Sequence, residues 1–215
     1  MRHDAGSRPP DFRRLTFNAQ QCQRDLVDLN TLLTAPALDE RAHILPFFKA
    51  HPHLSLFLGQ YNLGITTPDI VAYEMDLFGH FSADLVVGDW TRKKYCFVEF
   101  EDAKPDSIFK PTSRRTTRWS DRFEAAFSQI VDWTWLLAAN EGSDMFERMF
   151  GARSIEASAI IVLGRDSGIT AADRLRWEWR RRHIRVYSQI ILCYTFDELA
   201  RDLHDALNYG PYVPT

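Results

Sequence analysis

The sequence has only three cysteines among its 215 residues, and they stand far apart. None of Cys22, Cys96 and Cys193 belongs to a Cys-x-x-Cys pair, which argues against a zinc knuckle and against a disulfide framework. An odd number of cysteines without framework spacing is typical of a reducing compartment. We therefore expect a cytoplasmic protein with free thiols.

Long hydrophobic runs are also missing. No apolar run approaches the ~20 residues that a membrane-spanning helix needs, and the N-terminal stretch lacks the apolar centre of a signal peptide. The patterns GxGxxG, Walker A, GxSxG and HExxH are absent as well. These absences argue against a membrane protein, dinucleotide or NTP binding, a serine hydrolase and a zinc hydrolase.

The composition is that of a globular protein, with 45% hydrophobic and 26% charged residues. A chain of this length buries roughly 70% of the surface that it exposes when unfolded. The net charge of −3 argues against a binder of nucleic acid that is basic overall, but it leaves room for a local basic patch. Lysine is scarce, with 5 Lys against 21 Arg. Arginine suits bidentate contacts to phosphate, although a GC-rich genome gives the same bias.

The pattern along the chain predicts an α/β fold with a mixed sheet and helices on its faces. We expect a flexible N-terminus over 1–14, a small helical cap over 15–64, a main domain over 65–209 and a tail over 210–215. Alternation and apolar runs predict strands over 70–78, 82–88, 94–101 and 157–163, with at least one more in 184–194. N-cap residues predict helices beginning after Ser120, Thr170 and Thr195. A long loop over 102–119 is a candidate functional segment.

The acidic residues of two neighbouring strands are the most informative feature. Strand alternation places Asp84 on one face of the second strand, and Glu99 and Glu101 on one face of the third. A turn joins the two strands, so Asp84 and Glu99 can approach each other, and a cation between them relieves their repulsion. The two carboxylates and the carbonyl of Phe100 form a donor set that suits Mg²⁺. Such a site predicts phosphodiester hydrolysis.

A simpler interpretation is that these acids lie on a solvated face, as isolated acids near strand ends usually do. Their apolar flanks, ADLVV and CFVEFE, weigh against it. A carboxylate among such neighbours is partly desolvated and needs a partner.

The helix over 120–139 predicts a second part of the site. We expect its apolar face to contain Phe123, Phe127, Ile130, Thr134 and Leu137. Arg122, Ala126, Gln129 and Trp133 follow one stripe beside that face. Gln129 is a candidate for orienting water or phosphate, and Arg122 for a bidentate phosphate contact. Both also fit ordinary boundary or solvated positions.

Two arginine-rich stretches contain interleaved tryptophans. The first holds Arg114, Arg115, Arg118 and Arg122, and the second, over 174–185, holds six arginines. Arginine with aromatics suits a phosphate backbone with stacked bases. In the alternative, Trp177 belongs to the core and the arginines are solvated. The first stretch, beside the acids, is the better candidate for binding DNA.

The quoted motifs resemble a known family. An αβββαβ order, with Asp on one strand and an acid-x-acid pair on the next, resembles the PD-(D/E)xK nuclease superfamily with its restriction-endonuclease-like core. More closely, ADLVVGD (83–89), FVEFEDAK (97–104), SIF (107–109), WSDRFEAAFSQIVDW (119–133) and CYTFDEL (193–199) resemble the nuclease domain of Shedu anti-phage defence proteins. The resemblance covers roughly residues 65–205.

The resemblance implies roles for individual residues. Asp84 matches the motif aspartate, Glu99 the first acid of (D/E)xK, and Gln129 the glutamine that many relatives carry on the following helix. It implies a DNA nuclease that uses Mg²⁺ or Mn²⁺ and works as a homo-oligomer such as a tetramer. The position of the motif lysine is Glu101 here, and Lys104 stands three residues further on. This departure leaves the number of metals and the identity of the base open.

Three hypotheses follow. The leading one is a metal-dependent endonuclease with Asp84, Glu99, Glu101 and Gln129 as catalytic residues, Asp84, Glu99 and Phe100 as metal ligands, and Arg114, Arg115, Arg118 and Arg122 as DNA contacts. The second is a catalytically silent relative that binds nucleic acid or a partner protein and regulates another effector, which Glu101 in the lysine position favours. The third is an interaction domain whose acids face solvent.

Overall fold

A mixed sheet of six strands forms the centre of the protein. The computed structural model describes residues 12–61 and 65–209. Within them the strands are β1 (Arg13–Arg14), β2 (Ile70–Leu77), β3 (Phe81–Asp89), β4 (Lys94–Phe100), β5 (Phe109–Lys110), β6 (Arg118–Trp119), β7 (Glu156–Val162), β8 (Arg185–Val186), β9 (Gln189–Ile190) and β10 (Leu192–Tyr194). The sheet order is β1-β2-β3-β4-β7-β10, antiparallel from β1 to β4 and parallel from β4 to β10. The pairs β5–β6 and β8–β9 form separate hairpins.

Helices cover both faces of this sheet. They are α1 (Ala19–Leu32), a π-helix (Glu40–Ile44), α2 (Leu45–Ala50), α3 (Pro52–Tyr61), α4 (Asp121–Asn140), α5 (Asp144–Phe150), a 3₁₀ turn (Asp166–Gly168), α6 (Ala171–His183) and α7 (Phe196–Tyr209). One apolar cluster joins α1, α2, α3 and α7 to one face, and another joins α4, α5 and α6 to the other. The predicted α/β fold class and the αβββαβ order are therefore confirmed.

The predicted meander corresponds to β2, β3 and β4, within one or two residues of the expected bounds. The fourth predicted strand, β7, is less buried than its apolar sequence indicates. Only Ile160, Ile161 and Val162 are fully buried in it. The reason is that β10 has three residues and pairs with those positions alone, so the first half of β7 has a strand neighbour on one side only.

The N-terminal segment differs from the flexible stretch predicted over 1–14. Residues 1–11 lie outside the described part, but Arg13 and Arg14 pair with Val71 and Ile70 of β2. Phe12 is buried, with its ring 6.4 Å from that of Trp90, and this contact holds the strand in place. The predicted tail over 210–215 also lies outside the described residues.

The helical cap predicted over 15–64 comprises α1, the π-helix, α2 and α3, and its residues 62–64 lie outside the described part. Its second half contains two prolines, Pro46 and Pro52, a residue type that interrupts a helix when it lies in the interior. Pro52 begins α3, and Pro46 lies in the first turn of α2, where a missing N–H costs nothing. The cap packs on the sheet through Phe48, whose ring stacks on that of Phe100 at 4.3 Å.

Helix α4 begins as predicted, since the Ser120 hydroxyl accepts a hydrogen bond from the Phe123 N–H. The face that it buries is rotated from the predicted one. Phe127, Thr134 and Leu137 are only partly buried. The buried face consists of Phe123, Ala126, Ile130, Trp133 and Leu136. The small Ala126 fits against the sheet, and Trp133 packs near Phe97 with ring centroids 6.5 Å apart.

Among residues 12–61 and 65–209, no helix combines the length and the apolarity that crossing a bilayer requires.

Candidate active site

Two buried carboxylates face each other across the β3–β4 hairpin. Leu85 pairs with Val98 and Val86 pairs with Phe97. Continuing this antiparallel register by one residue places Asp84 opposite Glu99. The two residues are 8% and 5% exposed. Side chains at directly opposite positions have Cβ atoms about 5 Å apart, so the register brings these two carboxylates together.

Neither carboxylate has a cationic hydrogen-bond partner among the described residues. Asp84 Oδ2 accepts a hydrogen bond of 2.9 Å from the backbone N–H of Phe100. Glu99 Oε1 accepts one of 2.5 Å from Nε2 of Gln129, which reaches down from α4. The sequence-predicted residues Asp84, Glu99, Phe100 and Gln129 therefore form one connected group. Its negative charge is not neutralised by a direct ion pair.

Burial and nearby negative charges raise the pKa of both carboxyl groups. Burial, followed by the charge of Asp84, raises the pKa of Glu99 to about 10, and the Gln129 hydrogen bond opposes this only in part. Burial raises the pKa of Asp84 to about 7 against the opposing effect of the Phe100 N–H. A pair with such shifts is a candidate functional site because ionisation of both groups is costly without a cation between them.

Glu101, which the resemblance aligns with the motif lysine, is turned toward helix α4. Its Oε2 lies 2.9 Å from Nη1 of Arg122, and Nη2 of the same guanidinium lies 3.0 Å from Oδ2 of Asp102. Burial raises the pKa of Glu101, although the Arg122 hydrogen bond pulls it down. Arg122, predicted as a phosphate contact, is therefore held by two consecutive acids at the end of β4.

Asp102 is fixed from three sides. Lys104 Nζ lies 2.8 Å from its Oδ2, and the backbone N–H of Glu40 donates to its Oδ1 at 2.9 Å. Burial alone would raise the pKa of Asp102, but Lys104, the Glu40 N–H and Arg122 together lower it. Lys104 also contacts Asp39 at 2.5 Å. Its ammonium is thus directed at Asp102 and Asp39.

Glu40, at the start of the π-helix, is a further acid near the site that was not predicted from the sequence. A bridge between Leu38 and Ala103 sets this helix beside the end of β4. Burial raises the pKa of Glu40, which interacts electrostatically with Asp84 and Glu99. The neighbouring Arg41 lies 3.6 Å from Glu40 Oε1. No motif marks these residues, but π-helices occur frequently at functional sites.

The other predicted DNA contacts lie in and after the loop that leads to α4. Arg118 forms a two-bond ion pair with Asp121, with distances of 2.6 and 3.0 Å. Arg114 and Arg115 are exposed and make no side-chain ion pair with any described residue. These two arginines are available to an anionic ligand, whereas Arg118 already has a partner.

The second arginine-rich stretch is mostly helix α6, and its arginines are largely paired within the protein. Arg180 binds Glu124 with two hydrogen bonds, and Arg174 and Arg181 bind Glu198. Trp177 is fully buried. These contacts favour the alternative in which this helix is structural.

No set of three or more His, Cys, Asp or Glu side chains in 12–61 and 65–209 has the arrangement of a metal site. The chemistry of the smaller set nevertheless fits a hard divalent cation, because it has two adjacent buried carboxylates without a cationic hydrogen-bond partner. A third ligand from the protein would be a backbone carbonyl, for which Phe100 is the predicted residue.

A comparison with protein families now adds to this geometry. The family model described as Shedu protein SduA, C-terminal, matches residues 37–200. The chain belongs to the Shedu family. A search of curated proteins gives no match. The matched range includes Glu40, all the acids of the hairpin and the whole of α4. Membership of the Shedu family indicates a role in defence against phage.

Proposed function

We propose that this Shedu-family protein is a Mg²⁺-dependent DNA endonuclease that nicks or cleaves DNA in anti-phage defence. The observation that carries the proposal is the buried Asp84–Glu99 pair, which lacks a cationic hydrogen-bond partner and is held on one side by Gln129. A divalent cation between two such carboxylates relieves their repulsion, so a site of this charge favours metal binding over remaining empty.

Each residue has a role in this proposal. Asp84, Glu99 and the carbonyl of Phe100 hold Mg²⁺ or Mn²⁺, and Gln129 orients Glu99. A cation bound there supplies neutralisation of the scissile phosphate and a lowered pKa for an attacking water. Arg114 and Arg115, which are exposed, hold the DNA backbone. Arg118 joins them through the N–H donors that its ion pair with Asp121 leaves unused. The homo-oligomer that the family resemblance implies stays a prediction.

The deciding experiment is cleavage of supercoiled and linear DNA by the purified protein in Mg²⁺, Mn²⁺ or EDTA. We expect nicking with either metal and none in EDTA. Asp84→Asn should lose at least about 10³-fold in rate, since a metal ion contributes several kcal/mol to the transition state. Circular dichroism should show that this variant is folded.

The matched control for this assay is Asp76→Asn, a change at an exposed strand position. Among the described residues, its carboxylate accepts a hydrogen bond from the Gly79 N–H alone. It should cleave like wild type. Equal cleavage by Asp84→Asn and Asp76→Asn would reject the assignment of Asp84.

Gln129→Met tests the role of the amide. The substitution removes the donor to Glu99, which lets the pKa of Glu99 rise further and frees its side chain. Loss of such a supporting hydrogen bond typically costs about 10–100-fold in metal affinity. We expect half-maximal cleavage to need about that much more Mg²⁺, with most of the rate recovered at saturation. Ser128→Ala, an exposed neighbour on α4, is the control, and an unchanged Mg²⁺ dependence in Gln129→Met would contradict the role.

A catalytically silent relative is the second candidate, and the ion pair between Glu101 and Arg122 favours it. An acid stands where the motif has lysine, and a neighbouring arginine neutralises it. This candidate predicts that the protein binds DNA or a protein partner and shows no cleavage with either metal, so the same assay distinguishes the two functions.

A further inference from the structure

We propose that Arg122 supplies the cation that the motif position 101 lacks, and that Glu101 and Asp102 are positioning residues that aim its guanidinium at the scissile phosphate. The inference rests on the proposed nuclease function and deepens it. It changes the role of Glu101, which the sequence predicted to be a catalytic residue.

The geometry of the guanidinium supports this assignment. Nη1 lies 2.9 Å from Glu101 Oε2 and Nη2 lies 3.0 Å from Asp102 Oδ2. Two consecutive residues after β4 therefore form ion pairs with one arginine. A planar guanidinium held at two points has a fixed direction as well as a fixed place. A single contact would leave the side chain free to rotate.

Arg122 keeps hydrogen-bonding capacity for a ligand. A guanidinium has five N–H donors, and the two contacts to Glu101 and Asp102 use one from each terminal nitrogen. The side chain remains 46% exposed. The unused donors can therefore meet phosphate oxygens without breaking either ion pair.

The charge of the site requires such a cation. Replacing the motif lysine by Glu101 changes the local charge by two units toward the negative, beside Asp84, Glu99 and Glu40. A bound metal would offset only part of the negative charge of this cluster, and the remaining charge would repel an anionic phosphodiester. Arg122 offsets the charge of Glu101 and presents its remaining N–H donors next to position 101.

Its helical position also fits. Arg122 and Gln129 are seven residues apart on α4, so they lie on one stripe about 10 Å apart along the axis. Gln129 contacts Glu99 in β4, and Arg122 contacts Glu101 just beyond the end of that strand. Helix α4 thus places the amide of Gln129 beside Glu99 and the guanidinium of Arg122 beside Glu101.

Asp102 makes this placement rigid. It is buried and is itself held by Lys104 and by the backbone N–H of Glu40. Glu101 is buried as well. The two acids are therefore a fixed base for Arg122.

The test compares Arg122→Gln, Arg122→Lys, Arg122→Ala and Glu101→Gln with the control Arg153→Gln. Arg153 is a matched arginine, since it also bridges two acids, Asp144 and Glu147, at 2.8 and 2.9 Å, away from the site. DNA cleavage gives kcat and KM, and the rise of Tm with Mn²⁺ reports metal binding separately. All measurements use the 215-residue sequence without truncation.

We expect Arg122→Gln to lose about 10²–10³-fold in kcat, as for removal of one charge-stabilising donor, with a much smaller change in KM. Arg122→Lys should recover part of this loss, and ethylguanidinium in solution should partly rescue Arg122→Ala. Arg122→Gln and Glu101→Gln should keep the Mn²⁺-dependent rise in Tm, because neither residue holds the metal. Arg153→Gln should behave like wild type.

Two results overturn the inference while leaving the proposed function in place. One is an active wild type whose Arg122→Gln variant cleaves within about threefold of it. The other is loss of the Mn²⁺-dependent rise in Tm in Glu101→Gln, which would make Glu101 a metal ligand. A wild type without metal-dependent cleavage overturns both the proposed function and this inference.

Discussion

Glu99→Gln should make the metal-free protein more stable while it abolishes cleavage. At pH 8 in EDTA, we expect the Tm to rise by roughly 4–8 °C, equivalent to about 2 kcal/mol for a protein of this length. In Mg²⁺, the cleavage rate should fall by about 10³-fold or more. Differential scanning fluorimetry and a plasmid-nicking assay measure the two effects on the same preparations.

The stability gain follows from the direction of the pKa shift. Burial and the charge of Asp84 raise the pKa of Glu99 from 4.5 to about 10 on folding, so the folded state binds this proton more tightly than the unfolded chain does. The stability that this proton contributes is complete below pH ~4.5 and is lost as the pH rises through the folded pKa. The wild-type Tm in EDTA should therefore decline between pH 5 and pH 9, and Glu99→Gln should flatten that decline.

Bound metal should reverse the order of stability, so that wild type becomes more stable than Glu99→Gln. Wild type should gain about 2.7 kcal/mol when Mg²⁺ is present at 100 times its Kd, whereas Glu99→Gln should gain little. The control is Glu156→Gln, an exposed strand glutamate paired with Lys94 at 3.0 Å, which should change neither Tm nor cleavage markedly. A Tm of Glu99→Gln below that of wild type in EDTA at pH 8 would contradict the repulsion between the two acids.

The facing acids were predictable because local rules fix their register. A short turn joins β3 to β4, and side chains alternate along each strand. Few other registers are therefore open to Asp84 and Glu99. The same holds for the helix starts. Ser120 caps α4, and Thr195 and Glu198 exchange hydrogen bonds at the start of α7, as their sequence spacing predicts.

The remaining parts of the site depend on tertiary contacts that no local pattern encodes. Glu40 reaches the acids only because Leu38 pairs with Ala103, a contact between segments distant in sequence. The partner of Arg122 depends on the rotation of α4, which the small Ala126 and the large Trp133 decide by packing. An apolar stripe one position away along the helix looks equally plausible in the sequence.

One distortion of the sheet was also invisible to the sequence. Glu74 has a positive φ of 47° in the middle of β2, opposite the position of Asp84 in the register. The side chains that contact the α4 face are Ile70 and Ala72 before it but Met75 and Leu77 after it. The alternation of side-chain directions along β2 therefore changes phase at Glu74, which lies beside the candidate site. Strained backbone is often found at functional sites.

Phe48→Ala should destabilise the whole protein, including the candidate site. Phe48 is fully buried on α2, and its ring stacks on that of Phe100, the residue between Glu99 and Glu101. Truncating a buried phenylalanine costs about 3–5 kcal/mol, so we expect the Tm to fall by roughly 6–20 °C. Because this stack joins the helical cap to β4, calorimetry should show one transition that moves as a unit.

The control is Phe47→Ala on the same helix, which removes the same volume from a ring that is only partly buried. Its Tm should fall by much less. Two separate transitions in Phe48→Ala, with the sheet unfolding at the wild-type temperature, would show that the cap folds independently of the sheet. A single shifted transition instead means that the cap, which carries Glu40, and the hairpin, which carries Asp84 and Glu99, hold the site together as one cooperative structure.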